Sequence, residues 1–168
     1  MTLTELNNLP IEQLKELLSK CCGSNRWVKK MAAAFPIVDE QALLQKSEKI
    51  WFSLKEEDWL EAFAQHPKIG DTKSLEGKFA STANWAAGEQ AAVQQSTSEV
   101  IEQLAKCNKH YEDNFGYIFI VCATGKSAEE MLTLLKKRMG NDPKVEIKIA
   151  AAEQDKITKI RLQKLLSE

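Results

Sequence analysis

At 168 residues, with 23 basic and 24 acidic side chains and a net charge of -1, the chain suits one domain with a core of its own. That balance gives no general field to gather nucleic acid or anionic lipid, so neither is expected as a partner. No apolar stretch approaches the roughly 20 residues that span a bilayer, and MTLTELNNLPIEQL lacks the basic start and apolar run of a secretion signal.

Helical periodicity dominates the chain. Pro10 suits the first turn of a helix through IEQLKELLSK, where Leu14, Leu17 and Leu18 share a face, and Gly23 ends it. Ser24 is placed to cap a second helix, SNRWVKKMAAAF, with Pro36 beyond its end. Asp39 caps a third, DEQALLQKSEKIWFSL. A fourth, KEEDWLEAFAQ, gathers Trp59, Leu60 and Phe63 and is closed by Pro67. Residues 67–83 carry Gly70, Gly77 and several hydroxyls and read as an ordered loop. A long helix through WAAGEQAAVQQSTSEVIEQLAKCNKHYEDNF follows, capped by Thr82 or Asn84 and open to a break near Cys107. GYIFIVCATG is strand-like, but no second β-rich segment exists to pair with it, so a buried turn of helix with extended ends is expected. SAEEMLTLLKKRMG has a serine cap, early glutamates and late basic residues, and a last helix runs from about Pro143 to Leu166. The expectation is an all-α fold: one compact helical bundle of about eight helices spanning 1–168.

The four cysteines form no CxxC pair, so neither a zinc site nor a disulfide framework is expected, and free thiols fit a reducing cytoplasm. Cys122 reads as a small core residue, and Cys21 and Cys22 as buried or incidental. The only two histidines stand 44 positions apart, a poor start for a metal site. No phosphate loop, dinucleotide fingerprint or GxSxG elbow is present. Cofactor-free acid/base chemistry remains, or none.

Three places could carry that chemistry. His66 is assigned to the last turn of the fourth helix, where the helix end favours a cationic imidazole that donates a proton or binds an anion; a backbone carbonyl could equally satisfy it. Glu89 and Gln90 sit among Ala86, Ala87, Gly88, Ala91 and Ala92, so a ring compound could approach an acceptor and a donor closely; a tight helix crossing with Glu89 in solvent is the alternative. Arg161 flanks the apolar stripe of Ile157, Ile160 and Leu165 and could hold a carboxylate, of a ligand or of its own chain. Lys156, Lys159 and Lys164 read as a solvated face, and His110 as surface.

These segments, in this order, resemble 2-oxo-4-hydroxy-4-carboxy-5-ureidoimidazoline (OHCU) decarboxylase. QHPKIGD is similar to its HP-hydrophobic-G segment, and Glu89-Gln90 to the end of its SxxEQ motif. NKHYEDNFGYIFIVCATG is similar to its NxxY…FGxxF segment; LLKKRMGND and KITKIRLQKLL resemble its RLxND and KIxxxRL ending. CGSNRW looks like the bacterial branch. The serine that opens SxxEQ falls on Ala86 here, so no hydroxyl stands at that position.

The resemblance implies an all-helical, homodimeric, cofactor-independent decarboxylase that releases carbon dioxide and (S)-allantoin. It assigns His66 as the acid and Glu89 as the second catalytic residue, which with Gln90 fixes the polar ring and ureido edges. It places Pro67, Ala86, Gln90, Arg161 and the run Ile118, Phe119, Ile120, Val121 and Cys122 at the substrate. A non-catalytic helical interaction module of the same fold is one alternative reading, and a hydrolase or lyase on another ureido compound is the other.

Overall fold

The computed structural model describes residues 1–67 and 98–167. Among these it contains eight α-helices and no strand: α1 (Leu3–Asn7), α2 (Ile11–Cys21), α3 (Asn25–Ala32), α4 (Glu40–Phe52), α5 (Glu56–Phe63), α6 (Ser98–Phe115), α7 (Ala128–Arg138) and α8 (Pro143–Ser167). The all-α expectation holds. Contacts divide the chain into two compact units, one of residues 1–65 with 154–168 and one of residues 66–153.

The caps follow the sequence. Ser24 accepts from the Trp27 amide at 3.3 Å, Asp39 from Ala42 at 2.7 Å and Ser127 from Glu130 at 3.1 Å, each satisfying a donor that the first turn leaves orphaned. Pro10 is itself the N-cap residue of α2, one position before the first turn. The short α1 was not expected from the sequence. Its signal is a capping box: Thr2 accepts from the Glu5 amide while Glu5 accepts from the Thr2 amide.

In the first unit α3 packs against α2, α4 and α5. It buries Trp27, Val28, Met31 and Ala32, and α2 buries Leu14, Leu18 and Cys21, which recur at helical spacing. Trp27 donates its indole N–H to the Ser47 carbonyl at 3.4 Å, so a fully buried ring keeps its polar atom paired.

In the second unit α6 packs on α7. The core holds Leu104 and Tyr111 of α6 with Ala128, Met131, Leu132 and Leu135 of α7. The helix runs from Ser98 to Phe115 without a break at Cys107.

GYIFIVCATG departs from its expectation. Residues 117–123 form no helical turn; the run is non-helical throughout. It lies between two glycines in the left-handed region, Gly116 at φ 82° and Gly125 at φ 76°, which end α6 and turn the chain toward α7. Phe119, Val121 and Ala123 enter the α6/α7 core on alternate positions, the period of extended chain. No partner strand is needed because charged side chains take up part of its backbone hydrogen bonding.

Candidate functional site

His66 lies three residues beyond Phe63, the last residue of α5. Ala64 and Gln65 close the helix with amides bonded to the Leu60 and Ala62 carbonyls at 3.0 and 3.1 Å. The sequence reading that put His66 in the last turn is therefore corrected: proline at 67 disfavours helix at the residue before it, so the helix stops early. His66 and Pro67 are half-buried.

The end of α5 is gripped by the chain around Gly23. Asn25 donates its backbone N–H to Glu61 at 2.9 Å and its side-chain amide to the same carboxylate at 2.5 Å. Arg26 pairs with Asp58 at 3.3 Å. Gly23 packs so closely on Gln65 that a methyl group there would overlap its side chain. CGSNRW thus holds the segment that leads directly to His66.

The run Ile118 to Cys122 is the best-defined part of the candidate site. Phe119, Ile120, Val121 and Cys122 are buried and Ile118 half-buried. Arg138 donates from Nη1 to the Ile120 carbonyl at 2.6 Å. Glu153 accepts the Cys122 amide at 2.8 Å, and Lys126 donates to the Cys122 carbonyl at 2.8 Å. Among the described residues, no partner meets the backbone amides of Phe119, Ile120 and Val121. Amides in buried residues are nearly always paired, so an unpaired one is a donor left open to a ligand on the side it faces.

Arg138 is fixed in turn. Its Nε donates to Glu146 Oε1 at 2.7 Å, and its Nη2 lies 2.6 Å from the same oxygen as an ion pair without hydrogen-bond geometry. Tyr111 donates to that oxygen at 2.5 Å and Asn141 to Oε2 at 2.9 Å. The guanidinium covers the Phe119 ring, 4.5 Å from its centroid. Burial, then the bond to Glu146, holds the Tyr111 phenol well above its ordinary value, so it stays a donor. Sequence reading took Arg138 only as one of the basic residues ending α7. Its spacing from Met131 and Leu135 on the buried face was the available signal that it points inward.

Arg161 is a buried residue of α8 in the first unit, 8% exposed. Near it lies Cys22, whose thiol burial pushes up to about 12 against hydrogen bonds from Ser24 and Thr158 and the charge of Arg161. Ile157 and Leu165 of the predicted stripe are buried. The solvated lysine face needs correction at Lys159, which pairs with Glu48 at 2.6 Å and Asp155 at 2.8 Å. Burial would lower its pKa, but the two carboxylates outweigh that and raise it. At Asp155 burial wins, and the carboxyl sits above its usual range despite Lys159. An open groove of about 500 Å³ beside this pair, lined by Glu40, Gln41, Leu44, Gln45, Glu48 and Lys159, contains none of the predicted site residues.

Glu89, Gln90 and Ala86 lie outside the described residues. Among the described residues no three His, Cys, Asp or Glu side chains are arranged to hold a metal ion, and no helix is long and apolar enough to cross a membrane. All four cysteines are free thiols.

Residues 7–163 match the family model described as OHCU decarboxylase. The chain is 41% identical over 152 residues to the uric acid degradation bifunctional protein TTL of Arabidopsis thaliana, a match covering 88% of this chain and 46% of that protein. It is 26% identical to the uric acid degradation bifunctional protein of Bacillus sp. (strain TB-90), over all of this chain and 33% of the relative. The chain thus spans less than half the length of these curated relatives. A crystal structure of OHCU decarboxylase in the presence of (S)-allantoin superposes with a TM-score of 0.76 at 37% identity, covering 92% of this chain and 99% of that one.

Proposed function

Because the chain belongs to the OHCU decarboxylase family, we propose that it is a cofactor-independent carboxy-lyase converting 2-oxo-4-hydroxy-4-carboxy-5-ureidoimidazoline to (S)-allantoin and carbon dioxide in urate breakdown. The observation that carries this reading is the run of buried residues 119–121, whose amides lack partners among the described residues, within a chain 37% identical to a decarboxylase crystallised with (S)-allantoin.

The chemistry accounts for the residue types. Decarboxylation breaks the bond between the ring carbon and the carboxylate, and the electron pair stays on carbon. The substrate's own conjugated C=N system delocalises that pair, so no external electron sink is required. The protein must orient the carboxylate, keep water out and bring a proton to one face. In this reading His66 bonds the substrate hydroxyl and assists proton delivery, and Pro67 fixes the chain after it. Glu89 and Gln90 hold the polar ring and ureido edges, with Ala86 contributing no hydroxyl. The backbone from Ile118 to Cys122 lines the pocket, and Arg161 binds an anionic or carbonyl oxygen. The substrate also decays unaided to racemic product, so stereocontrol is a large part of the contribution.

Residues 1–168 are taken as one helical domain, supported by a family match from 7 to 163. Homodimeric assembly and a cytoplasmic location belong to the same proposal, the first by likeness to the family and the second by free thiols. Placement in the bacterial branch rests on CGSNRW alone, and the higher identity to the Arabidopsis relative gives it no support.

The test generates the unstable intermediate from urate with the two upstream activities, adds this protein and follows circular dichroism. Rapid appearance of optically active allantoin is expected. Racemic product at the spontaneous rate would instead favour a non-catalytic module, for which Ala86 is the sequence support, and a different product would favour another ureido hydrolase or lyase.

A further inference from the structure

The three charged side chains that grip the run 120–122 fix peptide planes. Among the described residues the sole cis bond is Phe35-Pro36, so the peptides on either side of Val121 are trans. In a trans peptide the C=O and the N–H point in opposite directions. Arg138, by holding the Ile120 carbonyl at 2.6 Å, therefore turns the Val121 amide away from itself. Glu153, by accepting the Cys122 amide at 2.8 Å, turns the Val121 carbonyl away from itself in the same manner. Lys126 holds the carbonyl of the next peptide at 2.8 Å. Both polar groups of Val121 are thus aimed by the side chains of Arg138 and Glu153, and among the described residues neither has a partner.

We infer that Arg138 and Glu153 are positioning residues: they set the backbone donor and acceptor of Val121 for an amide or ureido edge of the ligand, without touching the ligand themselves. This rests on the proposed decarboxylase reading. The pair differs from ordinary structural ion pairs in what it grips. A guanidinium and a carboxylate could each have been satisfied by side chains; here each takes one group from the two peptides flanking a single residue. Glu146, Tyr111 and Asn141 hold Arg138 from behind, so the first of the two planes is the more rigid.

Glu153 is half-buried and can be changed with less risk to the fold than Arg138. Glu153→Ala releases the Cys122 amide, whereas Glu153→Gln keeps an oxygen to accept it. The expected result for Glu153→Ala is an (S)-allantoin Kd and a KM both raised roughly tenfold, about the loss of one well-aligned hydrogen bond, with kcat little changed. Glu153→Gln should recover most of the loss, and Arg138→Lys should raise Kd in the same direction. The Val121 amide resonance should shift when allantoin is added to the wild type and shift less in Glu153→Ala. Variants that melt early but keep wild-type Kd and KM would overturn the positioning role and leave the decarboxylase reading standing. Wild-type protein that neither binds allantoin nor yields optically active product would remove both.

Discussion

Replacing Glu146 by alanine should be among the most damaging single changes in the second unit. Its carboxylate is fully buried and meets three donors: Tyr111 at 2.5 Å, Arg138 at 2.7 Å and Asn141 at 2.9 Å. Removing it strands two neutral donors and leaves a guanidinium of 6% exposure without its counter-charge. Breaking a buried pair from one side costs about 3–5 kcal/mol, so about 4 kcal/mol is expected for the whole change. For a chain of this size that is a fall in Tm of roughly 8–16 °C. Urea and thermal unfolding followed by far-ultraviolet circular dichroism would read it. The half-exposed partner of Lys159 gives the internal comparison: Glu48→Ala removes a screened surface charge and should cost at most about 1 kcal/mol. Replacing both Arg138 and Glu146 by methionine should recover part of the loss, since a paired apolar replacement leaves no stranded charge. A Glu146→Ala protein within 1 kcal/mol of wild type would refute the argument that this network holds the run 118–122 in place.

Cys22 supplies a prediction in pH. Its thiol, buried and pushed up to about 12 from an ordinary 9.0, stays protonated in the native state while the unfolded thiol ionises. Its contribution to stability is therefore complete below about pH 9 and is lost as pH rises toward 12, and Cys22→Ala should flatten that alkaline decline. At pH 8 an alkylating reagent should label the half-buried Cys107 well before Cys22; equal labelling would contradict the burial of Cys22. Gly23→Ala places a methyl group against Gln65, whose Cβ would stand 2.8 Å away, so a loss of roughly 1–3 kcal/mol is expected in urea unfolding, together with reduced turnover as the segment before His66 shifts. Unchanged stability would show that this contact yields freely.

The helices were legible because their determinants are local. Ser24, Asp39 and Ser127 announce helix starts through short side chains that reach their own backbone, and each does so in the structure. GYIFIVCATG was misread because its determinants are remote. The side chains that satisfy its backbone, Arg138 and Glu153, lie 18 and 31 positions away from their targets, beyond any periodic pattern. His66 was placed in a helical turn because the apolar period carries on to Phe63, whereas the geometry before proline stops the helix there. Arg161 was legible as a residue beside a buried stripe, and its own burial at 8% exposure follows from sitting on that side of α8. Lys159 misled because a lysine in a basic helix resembles solvent exposure, and only the fold brings Glu48 to it across 111 positions.

In the proposed mechanism His66 bonds the substrate hydroxyl and assists proton delivery to one face of the ring. The direct measurement is the enantiomeric excess of allantoin formed from freshly generated substrate by wild-type protein and by a folded His66→Asn variant. High excess of the S form with the wild type, and racemic product at the uncatalysed rate with the variant, is the predicted outcome. A variant that matches the wild type in both rate and excess would contradict it.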